Sequence, residues 1–466
     1  MSAASLTFDV LKTAVAGSAA AFRLTLRLEA VSPKVFPPTY EGGKYATEDR
    51  IIDGKTLPCV LLDSVPSQAN RMEMALQDAV DYEGLEFPLV VTDFSTSNEA
   101  KDDNRLRKFK ISSLQAPHRI ADAILRDASL FADGKKPVKF KDTEIGKALD
   151  DEVDFSNATA LLKFAPHCLV FGLWHSTGEK RRAMGVKFAR AIISEIVGVN
   201  AVPGVTSASR LDPLGIQKLV DKEDELGVKI YKVKGGGWTL NKEVAEQKDG
   251  KPVLYGKKGK PSEINHGNVT PDIVYRRDKT GNLVMGDNER PVMLVVLDND
   301  KEKGQKYVIR DERKPIAKGG FTVEYAEQST VLSLPALRRL RFPLKVGELA
   351  TDEANKAART YLAALGLLSA TLAFENGYNL RSRCVLHAST TPEWQLLGKP
   401  GEPEKYSLGK QDAVKLYEAA LAAALAAKLP INLEKIVLTP SDDLVMLVKK
   451  SLEIGAAEVS SEGSNA

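Results

Sequence analysis

The sequence predicts an α+β protein. Residues 22–30 alternate apolar and polar side chains with a period of two, which is typical of a half-buried strand. Residues 353–368 place Ala357, Tyr361 and Leu365 at helical spacing, which is typical of an amphipathic helix with one apolar face. A chain of 466 residues is too long for one ordinary core, so we expect two lobes or one domain with large insertions.

Composition favours a soluble globular protein, because 43% of the residues are hydrophobic and 27% are charged. The net charge is only +3, so any nucleic-acid surface must come from local clusters of cations. Three widely spaced cysteines exclude a disulfide framework and favour a reducing compartment. Because we find no signal peptide and no apolar run near the roughly 20 residues of a membrane span, we expect a cytoplasmic protein with no membrane partner.

The first part of the chain predicts a short helix within residues 1–18, the strand at 22–30 and a second strand at 59–62. Ser67 is the predicted cap of a helix with Met72 and Leu76 on its apolar stripe. The N-terminus of this helix is rich in polar side chains, namely Ser64, Ser67, Gln68, Asn70 and Arg71. A cap with an exposed first turn is the commoner outcome, but such a cluster could also bind a phosphodiester backbone.

The most informative stretch is 166–198. Its apolar residues 168–173 predict a buried strand, a polar turn begins at His175, and the spacing of Met184, Phe188 and Ile192 predicts an amphipathic helix. The cations that accumulate there are Lys180, Arg181, Arg182, Lys187 and Arg190. A strand that leads into a basic helix start is a plausible phosphate site, whereas a solvated charged face is the simpler interpretation.

Residues 230–262 carry eight lysines against three acidic residues, with Tyr231, Trp238 and Tyr255 among them. Interleaved cations and aromatics suit a single-stranded nucleic acid, whose bases stack while its phosphates are neutralised. A surface hairpin rich in glycine and lysine is an equally good interpretation.

The last third of the chain begins with a basic cluster, Arg338, Arg339 and Arg341, that precedes Pro343. Residues 370–374 and 380–387 then predict the two arms of a hairpin, and 411–428 predict an alanine-rich helix. Residues 455–466 are small and polar, so we expect a disordered tail.

No motif supports catalysis. Gly54, Lys55 and Thr56 resemble a phosphate-binding loop, but Asp49 stands where the upstream glycine is required. His175 and Ser176 could suggest a base and a nucleophile, yet no orienting carboxylate is evident nearby. Four residues could bind zinc only if their strands were neighbours, namely Cys384, His387, Cys168 and His167. We therefore expect no catalytic residue, no metal and no cofactor.

Two long motifs carry a family resemblance: LLDSVPSQANRMEMAL at 61–76 and LVFGLWHSTGEKRRAMGVKFARAIISEIVG at 169–198. Shorter segments add to it, namely PHRIADAILRDASL, TEIGKAL, SRLDPL and ALRRLRFP. The chain resembles the backbone subunit of type I-G (formerly I-U) CRISPR surveillance complexes, which is the Cas-seven family of the RAMP superfamily. The resemblance runs from about residue 22 to residue 387.

This resemblance implies a ferredoxin-like RNA-recognition palm with large insertions that form a thumb and fingers. Copies of such a subunit stack along one CRISPR RNA in a Cascade complex and present its guide bases to target DNA in antiviral defence. Expected partners are therefore CRISPR RNA, further copies of the chain, target DNA, a Cas-five/six-like protein and a large subunit. We divide the chain into palm residues 1–200, an insertion at 201–345 with a thumb candidate at 232–260, palm residues 346–454 and the tail at 455–466.

By this resemblance, the polar residues of both motifs and of the lysine-rich insertion are candidates for RNA contact. They are Ser67, Gln68, Asn70, Arg71, His175, Ser176, Thr177, Lys180, Arg181, Arg182, Lys187, Lys232, Lys234 and Trp238. Two alternatives stay open: a RAMP endoribonuclease that processes precursor CRISPR RNA, and a phosphoester enzyme unrelated to RNA that uses the turn at His175.

Overall fold

The computed structural model describes residues 3–40, 44–131, 136–175, 186–204, 231–239, 241–255, 273–275, 293–300, 304–309, 319–345 and 347–465. The chain divides into two compact units. The first unit comprises residues 1–204 and 320–448, and the second comprises residues 205–319 and 449–466. The second unit is thus mostly an insertion into the chain of the first.

The described residues include ten α-helices. They are α1 (Phe8–Ala16), α2 (Val65–Tyr82), α3 (Ala123–Arg126), α4 (Glu144–Asp151), α5 (Thr159–Phe164), α6 (His167–Phe171), α7 (Leu334–Arg338), α8 (Asp352–Glu375), α9 (Lys410–Ala426) and α10 (Asp442–Asn465). Short 3₁₀ turns cover Phe94–Thr96, Arg119–Ala121 and Phe140–Asp142.

The strands before the insertion are β1 (Ala4–Ser5), β2 (Ala21–Ala30), β3 (Thr39–Tyr40), β4 (Lys44–Tyr45), β5 (Thr47–Ile52), β6 (Lys55–Asp63), β7 (Val90–Asp93), β8 (Lys110–Ser112), β9 (Ala128–Leu130), β10 (Val138–Lys139), β11 (Leu173–His175), β12 (Val186–Phe188), β13 (Ile192–Val199) and β14 (Val202–Pro203). The second unit contains β15 (Tyr231–Lys232), β16 (Trp238–Thr239), β17 (Gln247–Lys248), β18 (Lys251–Pro252), β19 (Ile273–Tyr275), β20 (Met293–Asp300) and β21 (Gly304–Ile309). The strands after it are β22 (Phe321–Thr322), β23 (Tyr325–Ser333), β24 (Tyr378–Arg381), β25 (Cys384–Ala388), β26 (Trp394–Leu397), β27 (Glu404–Ser407) and β28 (Ile436–Pro440).

The first unit is built on a sheet whose centre runs β2, β23, β13 and β6, with every neighbour antiparallel. β25 also pairs antiparallel with β2 and extends the sheet to β24. The predicted strand at 22–30 is confirmed as β2, and its apolar side chains Leu24, Leu26 and Leu28 are fully buried. A smaller sheet of the same unit has the order β10, β9, β28, β7, β8. The fold is therefore mixed α+β.

Helices α2 and α8 form the main core layer of this unit. α2 packs against β13 and α8, and α8 also contacts α1, α6 and α9. By length and composition α8 could cross a membrane, but 78% of its apolar window is buried inside the protein. Such burial is typical of a core helix.

The prediction of a strand at 168–173 is wrong. Residues 168–171 of this run belong to helix α6, whose five residues are all buried. Strand β11 starts only at Leu173. A short apolar run without alternation cannot distinguish a buried helix from a buried strand, and burial on all sides removes the amphipathic signal. Gly172, with φ of 90°, makes the change from helix to strand, because L side chains rarely adopt this backbone conformation.

The predicted amphipathic helix after the polar turn is also wrong. Residues 186–188 form β12, which pairs with β11, and residues 192–199 form β13 in the centre of the large sheet. Most of β13 is buried on both faces of the sheet, so its sequence lacks the alternation of a half-exposed strand. Its isoleucines and valines are β-branched residues that pack well in strands.

Smaller differences concern element ends. Ser64 and not Ser67 caps α2, since the Ser64 side chain accepts from the Ser67 backbone N–H. Residues 370–374 belong to α8, and the hairpin is formed by β24 and β25 alone. α10 continues to Asn465, through most of the predicted disordered tail.

Candidate nucleic-acid interface

The first cluster lies where β6 ends and α2 begins. The carboxylate of Asp63 is fully buried and accepts hydrogen bonds from Ser67 Oγ at 2.8 Å and Gln68 Nε2 at 2.6 Å. Both donors lie in the first turn of α2, where a strand-end carboxylate is within reach because Ser64 caps the helix. Asp63 thus attaches the start of α2 to the end of β6.

Two arginines share the same carboxylate. Arg71 Nε donates to Asp63 Oδ2 at 2.9 Å, and Arg381 Nη2 donates to Asp63 Oδ1 at 3.2 Å. Each guanidinium also donates to a backbone carbonyl, Arg71 to that of Leu380 and Arg381 to that of Leu62. Two cations on one anion leave a net positive charge, and each guanidinium keeps unused N–H donors. The side chains of Arg71 and Arg381 are 34% and 26% exposed, so those donors are accessible.

Gln68 lies deeper than the sequence suggests, at 4% exposure. Its Oε1 accepts from Ser194 Oγ at 3.0 Å and from Gln328 Nε2 at 2.9 Å, which ties α2 to β13 and β23. Because both ends of its amide are engaged, Gln68 supports the sheet. Direct contact of Gln68 with RNA stays a prediction that its burial does not favour. Ser67 and Arg71 are half-buried and Asn70 is exposed.

The second cluster is the hairpin of β11 and β12. Leu173, His175 and Phe188 are buried on its inner face. On the outer face Trp174 is 64% exposed and stands directly across from Lys187, which is also exposed. Directly opposed side chains of an antiparallel pair lie about 5 Å apart at Cβ, so ring and ammonium form one surface.

Five residues predicted to contact RNA lie in the segment that joins these two strands, outside the described residues. They are Ser176, Thr177, Lys180, Arg181 and Arg182. Of the four cations in this motif that were predicted to contact RNA, Lys187 is the one that the structure describes.

His175 has a carboxylate partner that the sequence did not reveal. Its Nε2 is 3.1 Å from Asp150 Oδ1, and Asp150 stands 25 positions earlier, in α4. The pair lines a cavity of about 440 Å³. The other charged residues of the lining are Arg126, Lys139, Lys141, Asp127 and Asp443. A histidine beside a carboxylate can act as a general acid or base.

Arg119 connects the two clusters. It forms a bidentate pair with Glu73 of α2, at 2.6 and 2.8 Å, and donates to the carbonyl of Gly172, immediately before β11, at 3.2 Å. Burial raises the pKa of Glu73 to about 6, although Arg119 opposes this rise. Burial and the nearby Arg119 lower the pKa of Arg190, which follows β12. The third turn of α2 thus supports the base of the hairpin through Glu73 and Arg119.

In the second unit, β15 and β16 form another small hairpin with the same arrangement. Lys232 stands directly across from Trp238, which is 53% exposed. Lys232 also pairs with Glu246 at 3.4 Å, and Lys234 is exposed. The three glycines 235–237 all have positive φ, between 82° and 110°, so they make the turn of the hairpin.

A family model described as CRISPR-associated protein GSU0053 matches residues 24–203. The match supports a CRISPR-associated protein. It spans less than half of the chain. It includes the β11–β12 hairpin and, from the Asp63 cluster, Asp63, Ser67, Gln68 and Arg71, but not Arg381, Lys232 or Trp238. The search of curated proteins gave no match.

Sequence reasoning missed several residues of these clusters. Trp174 directly follows the run 168–173 that was interpreted as a buried strand, and its exposure depends on the hairpin that the sequence did not predict. Arg119 and Asp150 are separated in the chain from their partners. Arg381 lies more than 300 positions from Asp63, so only the fold brings the two together.

Proposed function

We propose that the chain is the CRISPR RNA-binding backbone subunit of a type I-G surveillance complex. The observation that carries this proposal is the outer face of the β11–β12 hairpin, where exposed Trp174 stands across from exposed Lys187. An aromatic ring that stacks a base beside a cation that neutralises a phosphate is the basic unit of single-strand recognition. The family match covers this hairpin and gives it a CRISPR context.

The order of the central strands supports a ferredoxin-like palm. Numbered along the chain, β2, β13, β23 and β25 are first to fourth, and they stand side by side in the order fourth, first, third, second. All neighbours are antiparallel, and α8 leads from the third strand to the fourth. The ferredoxin-like palm has this strand order. β6, next to β13, would be an addition to the palm.

The insertion between β14 and β22 includes the thumb candidate at residues 232–260. It contains the β15–β16 hairpin with Lys232 across from Trp238. The same pairing of an exposed tryptophan with a lysine in both units would give the RNA two stacking surfaces. Copies of the chain would bind along one guide RNA, with the Cas-five/six-like protein, the large subunit and target DNA as further partners.

The experiment is to express the chain with a CRISPR array, purify it and sequence the RNA that it protects. Repeat–spacer RNA in oligomeric particles supports the backbone role. A monomeric protein without RNA contradicts it. The proposed location is the cytoplasm, and the proposed role involves no catalysis.

A second candidate function is cleavage of precursor CRISPR RNA, and the pair of His175 with Asp150 beside a cavity favours it. In this reaction a ribose 2′-hydroxyl would lose its proton and attack the adjacent phosphorus, and the departing 5′-oxygen would gain a proton. Incubation of labelled precursor RNA with the protein and with His175→Gln tests it. Cleavage that the variant lacks would establish the nuclease, and intact precursor with both would exclude it.

A further inference from the structure

A cluster of four arginines lies outside the surfaces described above. They are Arg338 and Arg339 at the end of α7, Arg341 just after it, and Arg359 in α8. Arg339 and Arg341 are exposed, and the other two are half-buried. The motif ALRRLRFP contains three of them.

The cations are held close together by shared carbonyl acceptors. Arg341 Nη1 donates to the carbonyl of Leu340 at 3.1 Å, and Arg359 Nη2 donates to the same oxygen at 2.7 Å. These two nitrogens therefore lie within 5.8 Å of each other, the sum of the two distances. Arg341 also donates to the carbonyl of Arg338. Like charges at such separations repel, so the cluster is electrostatically unfavourable on its own.

Within the described residues, no carboxylate forms an ion pair with any of the four. Asp352 attracts Arg359 electrostatically, but its ion pair is with Lys356, at 2.6 Å. Burial and the neighbouring Arg341 and Arg338 lower the pKa of Arg359 to about 10. Among the residues that the structure describes, the positive charge of the cluster is therefore not neutralised by a direct ion pair.

Part of the cluster has a structural role. Arg338 donates to the carbonyls of Gly17 and Ala19. Arg341 donates to the carbonyl of Arg338, the last residue of α7, where cations are favourable, and Arg359 donates to that of Leu340 just after the helix. Arg339 has no such role, since its guanidinium lies over the ring of Phe155 at 4.6 Å. A guanidinium has five N–H donors, so Arg339 and Arg341 retain donors for a ligand.

We propose that Arg338, Arg339, Arg341 and Arg359 form a second nucleic-acid surface that binds the phosphates of a strand. The forked guanidinium matches two phosphate oxygens, and a phosphodiester chain supplies repeated negative charge for a row of cations. Guide RNA and target DNA carry the same phosphate chemistry. This surface does not depend on the β11–β12 hairpin.

The test compares Arg339→Gln/Arg341→Gln with a matched control, Arg107→Gln/Lys108→Gln, which removes two neighbouring exposed cations elsewhere. Fluorescence anisotropy measures the affinity of the full chain for single-stranded RNA, single-stranded DNA and duplex DNA at several salt concentrations. Loss of two contacts should lower single-strand affinity roughly 25-fold at about 0.1 M salt and flatten the salt slope by roughly 1.4. The control should change neither, and the RNA and DNA probes show which strand is preferred.

Unchanged affinity and slope for all three probes would overturn the inference. A lower Tm with unchanged affinity would also overturn it, because the arginines would then only stabilise the fold around α7. A labelled poly-glutamate peptide gives the third contrary outcome, in which the variant loses the peptide but no nucleic acid. The experiment with the CRISPR array tests a separate claim. Absence of repeat–spacer RNA would contradict the proposed function, whereas the anisotropy result alone decides whether the four arginines bind nucleic acid.

Discussion

The Asp63 cluster and the β11–β12 hairpin share a predicted pattern but have opposite environments. Both were predicted as a strand that leads to polar residues and a helix. In the structure Asp63 and Gln68 are buried and bonded to other elements, whereas Trp174 and Lys187 are exposed. Polar residues at a strand end can therefore organise the fold or face a ligand, and only their tertiary partners decide which.

The largest effect should come from the buried carboxylate. Asp63→Ala leaves Gln68 Nε2 without its acceptor and two guanidiniums without their anion. We expect a loss of about 3 kcal/mol in the free energy of unfolding, measured with urea. The control Asp78→Ala, on the exposed side of α2, should change it by less than about 0.5 kcal/mol. If both substitutions changed the free energy of unfolding equally, the Asp63 cluster would have no special structural role.

Glu73 should make stability depend on pH. Its pKa is about 6 in the folded protein and 4.5 when unperturbed, so the folded state keeps the proton longer as pH rises. The free energy of unfolding should fall by about 2 kcal/mol in total through this group as the pH rises from well below 4.5 to well above 6. Denaturation of the wild type and of Glu73→Gln at several pH values isolates this change. A difference between the two proteins that stays constant with pH would contradict it.

Trp174→Ala should affect RNA and not folding. Loss of one stacked base should cost about 1.5 kcal/mol, or somewhat over tenfold in affinity for single-stranded RNA. The matched control is Tyr82→Ala, since Tyr82 is 84% exposed at the end of α2. Both variants should keep the wild-type Tm. A loss of stability in Trp174→Ala with unchanged RNA affinity would assign the hairpin a structural role.

Lys187→Gln should give the smallest change. One lost phosphate contact flattens the salt slope by roughly 0.7 and lowers affinity about fivefold at 0.1 M salt. Lys12→Gln, an exposed lysine in α1, is the control and should leave the slope unchanged. Identical slopes for the two variants would show that Lys187 does not contact phosphate.

Local patterns predicted the elements that are exposed on one side. The alternation at Leu24 and Leu26 identified β2, and the apolar stripe at Met72 identified α2. β13 and α6 were missed because burial of most of β13 and of all of α6 removes the periodic signal. The roles of Gln68 and Asp63 depend on Gln328 and Arg381, whose distance along the chain no local pattern can bridge.

The central claim is that RNA lies on the outer face of the β11–β12 hairpin. Ultraviolet crosslinking of the RNA-bound protein, with the crosslinked peptides mapped by mass spectrometry, tests it most directly. We expect a crosslink at Trp174 that Trp174→Ala abolishes. RNA that crosslinks elsewhere on the chain while the peptide with Trp174 stays unmodified would contradict the account.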